Sequence, residues 1–329
     1  MLDQTLTSDN GRVGIVIPTH NRYGKLRALL ASIERWMTSE VNSVVVVDDS
    51  DQPVDLTKDF DSINLKQILL DRRTFISKAK NIGWKNLTSE YVYFIDDDNV
   101  IGEETIAPVF GIISRSKSVG AVMPAVLYKS RPDLVWVYAT PLSSRRGLKH
   151  QLIGRNEARN SSLENRLLNT DALPNASIVR RKALESVDGF DETLVVNSSM
   201  DLCLRMKANG WKVFSYTGGF VYHDVEAPGR LGWWAIHGAI DPERVRYEIR
   251  DWFILASRLR RNEKFFRIRV IAASRFVVPN MLAYFVRGRE RSKLARSLIT
   301  GYLEGLRFMI LTEHPTSKMG AITTNILRQ

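Results

Sequence analysis

Tyr91-Val92-Tyr93-Phe94-Ile95-Asp96-Asp97-Asp98-Asn99 is the stretch that decides the fold. Five apolar or aromatic residues followed at once by three carboxylates read as a strand buried on both faces that ends abruptly at a polar edge. Earlier segments repeat the plan. Val13 to Ile17 form an apolar run stopped by Pro18, and Val44 to Val47 another that ends in Asp48-Asp49-Ser50. Leu65 to Leu70 suggest a further strand. Between these runs, Leu26, Leu29, Leu30, Ile33 and Met37 recur at helical spacing, and Phe75 to Leu87 predict a second helix with Ile76, Ala79, Ile82 and Gly83 on one face.

Alternation of such strands with helices predicts an α/β fold, a mostly parallel sheet flanked by helices. In an open sheet of this kind, ligands bind beyond the carboxyl ends of the strands. The polar clusters Thr19 to Arg22, Asp48 to Ser50 and Asp96 to Asn99 all fall there.

Three adjacent carboxylates after a buried strand repel one another unless a cation neutralises them. Alternate side chains of an extended chain point the same way, so Asp96 and Asp98 are expected to face one divalent ion or its water shell while Asp97 points elsewhere. Mg2+ or Mn2+, completed by substrate phosphates, suits that ligand set. The competing reading is a solvated acidic turn that caps a helix near Glu103 and Glu104.

Composition bounds the rest. The 329 residues are 44% hydrophobic and 25% charged, enough for one large core and an appendage. The single cysteine, Cys203, excludes an intramolecular disulfide framework and reads as a small core residue rather than a nucleophile. Residues 1–10 are polar and acidic, without a basic region followed by an apolar run, so the expected location is the cytoplasm. The net charge of +11 is concentrated late: residues 225–329 hold 19 Lys and Arg against 9 Asp and Glu, residues 1–224 hold 28 against 27. Sixteen of those 19 are arginines, which favours phosphate-bearing partners. Without zinc-finger spacing or an RNA-binding aromatic motif, nucleic acid is not the expected one.

The order of motifs resembles glycosyltransferase family 2, whose members have the GT-A fold. Ile15-Val16-Ile17-Pro18-Thr19-His20-Asn21-Arg22 resembles the family's opening strand and loop, and Val46-Val47-Asp48-Asp49-Ser50 its nucleoside-binding strand end. Lys78-Ala79-Lys80-Asn81-Ile82-Gly83 is similar to its Ala-Arg-Asn-x-Gly helix with Lys80 in the arginine position, and Phe94-Ile95-Asp96-Asp97-Asp98 to the approach to its Asp-x-Asp motif. Farther on, Pro174 to Arg181, Asp188-Gly189-Phe190-Asp191-Glu192, Asp201-Leu202-Cys203-Leu204-Arg205 and Val221-Tyr222-His223 continue the likeness, which spans about residues 12–224. Tyr247-Glu248-Ile249-Arg250-Asp251 is similar to a segment of rhamnosyltransferase-like members.

The resemblance implies an inverting transferase taking a sugar from a nucleotide-diphosphate donor to a glycan or lipid-linked acceptor. Pro18, Thr19, Asn21 and Arg22 would line the nucleotide pocket, and Asp48 or Asp49 would accept from base or ribose. Arg73 and Lys80 would contact base or diphosphate, and Asp97 belongs to the same donor-binding cluster. Asp98 would be the main metal ligand, Asp96 would contact the ribose or an ion-bound water, and His223 would be a third ligand or, alternatively, a satisfied histidine beside Asp224. The pattern departs where the acceptor-activating Glu-Asp pair should stand, since Ser198-Ser199 occupy those positions. Asp201 is the best single candidate for that base, against a plainer role in a first helical turn capped by Ser198 or Ser199; Asp191 and Glu192 are the other candidates. A non-catalytic nucleotide-sugar or glycan-binding relative is the alternative function.

Two further segments carry expectations. Between Tyr138 and Thr170 the sequence loses apolar periodicity and gains Arg145, Arg146 and Arg155, which suggests a mobile cover over the site or a disordered insertion. From residue 225 onward helical patterns predominate, at Val245 to Arg261, Phe265 to Val286 and Arg291 to Leu311. Pro279 and Arg275 make Val270 to Val286 too short and polar for a confident membrane span. Flanking arginines suit an anionic membrane surface on the inner face of the cell membrane, with Trp252, Phe253, Phe265 and Phe266 entering it. The competing reading is a helical subdomain packed on the sheet or on a second copy of the chain. The expected organisation is residues 1–224 as the nucleotide-sugar-binding domain and 225–329 as a basic helical extension.

Overall fold

The computed structural model describes residues 12–36, 38–143, 149–227, 242–258 and 291–311. Strands β1 (Val13–Thr19), β2 (Val41–Asp48), β3 (Leu65–Leu69) and β4 (Tyr91–Ile95) alternate with helices α1 (Tyr23–Trp36) and α2 (Phe75–Lys85). They lie side by side in the order β3-β2-β1-β4, every neighbouring pair parallel. Because β1 and β4 are buried at every position, their apolar residues contribute on both faces, at roughly 1.5–3 kcal/mol for each large side chain removed from water. Leu26, Leu29, Leu30 and Ile33 turn the predicted face of α1 onto the sheet, while Met37 lies outside the described residues.

The chain then crosses the sheet through β5 (Asn99–Ile101), α3 (Ile106–Arg115), β6 (Val119–Tyr128), β7 (Val135–Val137), the hairpin β8 (Leu142–Ser143) and β9 (Lys149–His150), and β10 (Leu167–Asn169). It continues with β11 (Ala176–Arg180), α4 (Arg181–Glu185), α5 (Ser198–Ala208) and β12 (Lys212–His223). β11 enters antiparallel between β4 and β6, so the parallel half of the sheet is its N-terminal half. β12 runs parallel to β6 and antiparallel to β5 and β10.

Helix α2 departs from its predicted face. Ile76 and Ile82 are half-buried, whereas Ser77, Ala79, Lys80, Asn81, Gly83 and Trp84 are buried. Polar residues turn inward here because they have partners: Ser77 donates to the Leu194 carbonyl, and Asn81 Nδ2 donates to Phe190 O at 2.8 Å while its Oδ1 accepts from Phe190 N at 2.9 Å. Gly83 lets α2 approach β1 so closely that a Cβ there would collide with Val16.

Residues 149–170 are ordered by specific anchors rather than forming a disordered insertion. Tyr138 N donates to Ile153 O at 2.8 Å and Ile153 N to Ala139 O at 2.9 Å. Tyr138, Ile153, Leu163 and Leu168 close a small core with Leu127, Val135 and Phe220. Arg155 lies over the Trp136 ring at 4.2 Å, while Arg145 and Arg146 lie outside the described residues.

Two C-terminal helices, α6 (Pro242–Arg258) and α7 (Arg291–Leu311), pack through Val245, Ile249 and Phe253 against Leu294 and Leu298. Ile254 and Leu255 of α6 share a second cluster with Leu194, Met200 and Leu204, so the extension is built onto the sheet-bearing part of the chain. Phe253 is 1% exposed and therefore cannot enter a membrane interface, which corrects that expectation. Trp252 is half-buried, and Phe265, Phe266 and Val270 to Val286 lie outside the described residues. Among the described residues, no helix is long and apolar enough to cross a membrane.

Candidate active site

Parallel register carries the three polar clusters to one edge. Thr19 pairs with Asp48 across β1 and β2, and Val16 with Phe94 across β1 and β4, so the loop after Pro18 stands beside Asp96 to Asp98. Asn21, with φ of 56°, turns the chain back toward that cluster, and its backbone N–H donates to Ser50 Oγ at 2.7 Å. Asn21 Nδ2 in turn donates to Asp51 Oδ2 at 2.7 Å, and Pro18 is buried.

Each carboxylate of the triplet meets a different partner. Asp96 faces Lys80 Nζ at 2.9 Å, away from a hydrogen-bonding line. Asp97, with no exposed surface, accepts from Thr19 Oγ1 at 2.7 Å and from Arg22 Nε at 3.2 Å. Asp98 Oδ2 accepts from Arg22 Nη1 at 2.8 Å and lies 3.6 Å from His223 Nε2. Burial lifts Asp97 to about 6 despite Arg22 and Thr19. The same burial acts on Asp98 but is outweighed by His223 and Arg22, which hold it well below the usual carboxylate range.

His223 reaches Asp98 because β12 ends antiparallel to β5, pairing His223 with Asn99, and the next residue, Asp224, donates its N–H to Asp98 O at 2.7 Å. Its ring stands edge-on to Trp136, with centroids 5.0 Å apart, and Nδ1 is buried without a hydrogen-bond partner. Sequence reasoning missed Trp136; its position in an otherwise irregular segment gave no signal.

Among the described residues, no group of three or more His, Cys, Asp or Glu side chains is arranged to hold a metal by itself. Two protein ligands completed by phosphate oxygens is a normal set for Mg2+ or Mn2+. Asp98 and His223 fit that set, since Asp98 Oδ2 and His223 Nε2 face each other at 3.6 Å beside the Asp96 carboxylate.

The second strand end is more enclosed than the sequence implied. Asp48 is fully buried, and its carboxylate accepts from Tyr23 Oη at 2.6 Å, Ser50 N at 3.0 Å and Gln67 Nε2 at 3.0 Å. Asp49 accepts from Thr74 N at 2.6 Å and faces His20 Nδ1 at 3.0 Å. Asp48 therefore ties Tyr23 and Gln67 to the end of β2. Arg73 is engaged by Glu243 of α6 at 2.8 Å and lies 4.8 Å over the Phe75 ring, at the rim of the edge rather than among the carboxylates.

The start of α5 and the loop before it correct the expected base and the expected helix cap. Asp201 has no exposed surface and accepts from Arg205 Nε at 2.7 Å, one turn on, while Arg205 also holds the carbonyls of Val187 and Gly189. A carboxylate sealed in that way cannot meet an acceptor hydroxyl, so Asp201 has the structural role. Asp191 turns back onto its own loop, accepting from Thr193 N at 2.8 Å and Thr193 Oγ1 at 2.6 Å, beside a hollow of about 340 Å³ lined by Asn81, Lys85, Phe190 and Glu192. The N-cap of α5 is Asn197, not Ser198 or Ser199, and its side chain makes no capping bond. Instead, the buried carboxylate of Asp251 on α6 accepts the N–H groups of Val195, Val196 and Asn197 at 2.9, 2.7 and 3.1 Å. Cys203 is a core thiol whose pKa burial pushes up.

Residues 14–187, just over half of the chain, match the model of Glycosyl transferase family 2. A stretch of 101 residues is 26% identical to glycosyltransferase GlyA of Streptococcus pneumoniae serotype 4, covering 30% of this chain and 14% of that protein. The fold is similar to that of a mannosyltransferase from Pyrobaculum calidifontis, PcManGT, solved with GDP-Man and Mn2+, at a TM-score of 0.52 and 16% identity over 97% of this chain and 84% of that one. It is similar also to GalNAc-T7 solved with UDP, GalNAc and Mn2+, at a TM-score of 0.53 and 13% identity over 65% of this chain and 43% of that one. With this sequence match laid over a GT-A-type sheet whose polar edge gathers Arg22, Lys80 and Asp96 to Asp98, the chain belongs to glycosyl transferase family 2.

Proposed function

We propose that the protein transfers a sugar from a nucleotide-diphosphate donor to a hydroxyl of a glycan or lipid-linked acceptor, with inversion at the anomeric carbon and with a divalent cation. One observation carries the reading: Arg22, Lys80, Asp98 and His223 meet at the carboxyl edge of the sheet, beside the enclosed Asp48–Asp49 strand end. Arg22 and Lys80 offer positive charge to a diphosphate, and Asp98 with His223 would hold Mg2+ or Mn2+, which supplies charge stabilisation to the leaving diphosphate. Thr19 and Asn21 order the loop over the nucleoside, and Asp48 with Tyr23 and Gln67 shapes its wall.

Its test is release of nucleoside diphosphate from UDP-, GDP- and dTDP-sugars, with Mn2+, with Mg2+ and with chelator. Metal-dependent release from at least one donor is expected, and no release from any donor supports the non-catalytic binding alternative. The concentration of arginine in residues 225–329 supports peripheral attachment to the inner face of a membrane. Co-sedimentation with phosphatidylglycerol vesicles but not phosphatidylcholine vesicles is the expected result, and equal recovery with both contradicts it.

A further inference from the structure

A displacement at an anomeric carbon needs a carboxylate that can take a proton from the incoming hydroxyl. Around this site most carboxylates are already engaged by cations or by their own backbone: Asp96 by Lys80, Asp97 and Asp98 by Arg22, Asp201 by Arg205, and Asp191 by Thr193. Ser198 and Ser199 open α5 without a carboxylate of their own.

Helix α6 brings in another acid. Asp251 anchors it to residues 195–197, directly before α5, and Arg250 Nη2 donates to Thr193 O at 2.6 Å. One turn earlier, the Tyr247 ring meets Phe75 at 5.2 Å, and farther back Glu243 pairs with Arg73. Phe75 opens α2, the helix whose Lys80 reaches Asp96, and Thr74 before it binds Asp49. The first turns of α6 therefore bridge the start of α5 and the start of α2.

Glu248 lies on that bridge. It precedes Asp251 by three residues, which places both on one face of α6. It is half-buried and has no hydrogen bond or ion pair among the described residues; the charges that act on it are Arg244, one turn back, and Asp251. Burial first raises its pKa, and Asp251 adds to that against the pull of Arg244, which makes the carboxylate a better proton acceptor than an ordinary glutamate. Asn197, whose backbone N–H donates to Asp251, lies directly before α5.

We infer that Glu248 is the carboxylate that takes the acceptor proton, an assignment that rests on the transferase reading above. The acceptor oxygen forms its bond to the anomeric carbon as its proton passes to Glu248. The bond from that carbon to the diphosphate oxygen breaks, and the electron pair leaves on the diphosphate. Glu248 then returns the proton to solvent.

The test uses the full chain with UDP-glucose, UDP-N-acetylglucosamine, GDP-mannose and dTDP-rhamnose in Mn2+, with water as acceptor and nucleotide release as readout. Glu248→Gln should lower release at least about 100-fold while donor affinity stays within about twofold and the melting temperature is unchanged. Glu248→Ala should regain release in sodium azide, yielding a glycosyl azide of inverted configuration, because azide has no proton to lose. Release by Glu248→Gln within about threefold of wild type overturns the assignment, and so does a loss that azide does not restore. If the wild type releases nucleotide from none of these donors, the transferase reading itself fails and the assignment falls with it.

Discussion

Arg22 Nη1 lies 2.8 Å from Asp98 Oδ2, so a side chain from the loop after β1 acts as resident counter-ion to the carboxylate proposed as metal ligand. The same guanidinium meets Asp97 Oδ1 at 2.5 Å. Arg22 is about half exposed, which screens the pair, so Arg22→Ala should cost only about 1 kcal/mol without metal. Mn2+ should restore more of that loss in the variant than it adds to the wild type, measured by thermal unfolding with and without the ion. An equal Mn2+ effect in both proteins contradicts the counter-ion role.

Lys80 and Asp96 form a more enclosed pair, with the lysine side chain 8% exposed. Lys80→Met keeps the volume but strands Asp96, and a broken buried pair costs about 3–5 kcal/mol, an upper bound here because Asp96 is partly solvated. The expected outcome is a drop in melting temperature together with weakened nucleotide affinity. Calorimetry showing unchanged affinity would remove Lys80 from the diphosphate contacts.

Asp251 is predicted to be worth more as a hydrogen-bond acceptor than as a charge. Three backbone N–H groups converge on it, and Asp251→Ala leaves them unpaired at about 1–3 kcal/mol each at most. Asp251→Asn keeps an acceptor. Burial raises the Asp251 pKa in the fold despite Arg250, so the folded state favours the neutral acid. Its contribution is therefore fully present below the unfolded carboxylate value and is lost as pH rises through the raised one. Chemical unfolding from pH 4 to 8 should show this decline in the wild type and a flatter profile in Asp251→Asn; parallel profiles contradict it.

Asp201→Ala should unfold more easily, by about 3 kcal/mol, because Arg205 loses its carboxylate while still holding the Val187 and Gly189 carbonyls. Nucleotide release per folded molecule should be nearly unchanged. A large loss of turnover with stability intact would return Asp201 to the list of proton acceptors.

Arg180 is expected to be purely structural. It is buried and donates to the carbonyls of Val119, Ile113 and Ser116 and to Tyr91 Oη, tying β11 to the turn before β6. Arg180→Lys cannot reproduce that planar fork and should be destabilised by about 2–4 kcal/mol with donor affinity unchanged. Weaker donor binding at equal stability would contradict the structural role.

The parallel half of the sheet was legible in the sequence because β1, β2 and β4 are apolar runs cut off by polar clusters, and period alone marks them. Arg22 and Asp96 to Asp98 were legible for the same reason: strand ends in one register must share an edge, whereas Lys80 in α2 was reached only through the family resemblance. The antiparallel insertion of β11 was not, since pairing order depends on contacts far apart in the chain. The inward face of α2 was misread because Ser77, Lys80 and Asn81 are polar and become buried only through partners at Leu194, Asp96 and Phe190. Asp201 looked available because its ion pair with Arg205 and its burial are products of tertiary packing. Residues 149–170 have no apolar period because their order comes from scattered anchors such as Tyr138, Ile153 and Leu163.

The central claim is that this edge binds a nucleotide-diphosphate sugar together with a divalent cation, and the most direct measurement is thermal unfolding with UDP-, GDP- and dTDP-sugars, each with and without Mn2+, for the wild type and Asp98→Asn. At least one donor should stabilise the wild type, by about 2.7 kcal/mol at a hundredfold excess over Kd, with most of that gain requiring Mn2+ and absent from Asp98→Asn. Stabilisation by none of the donors in either condition, or an equal Mn2+-dependent gain in Asp98→Asn, would contradict it.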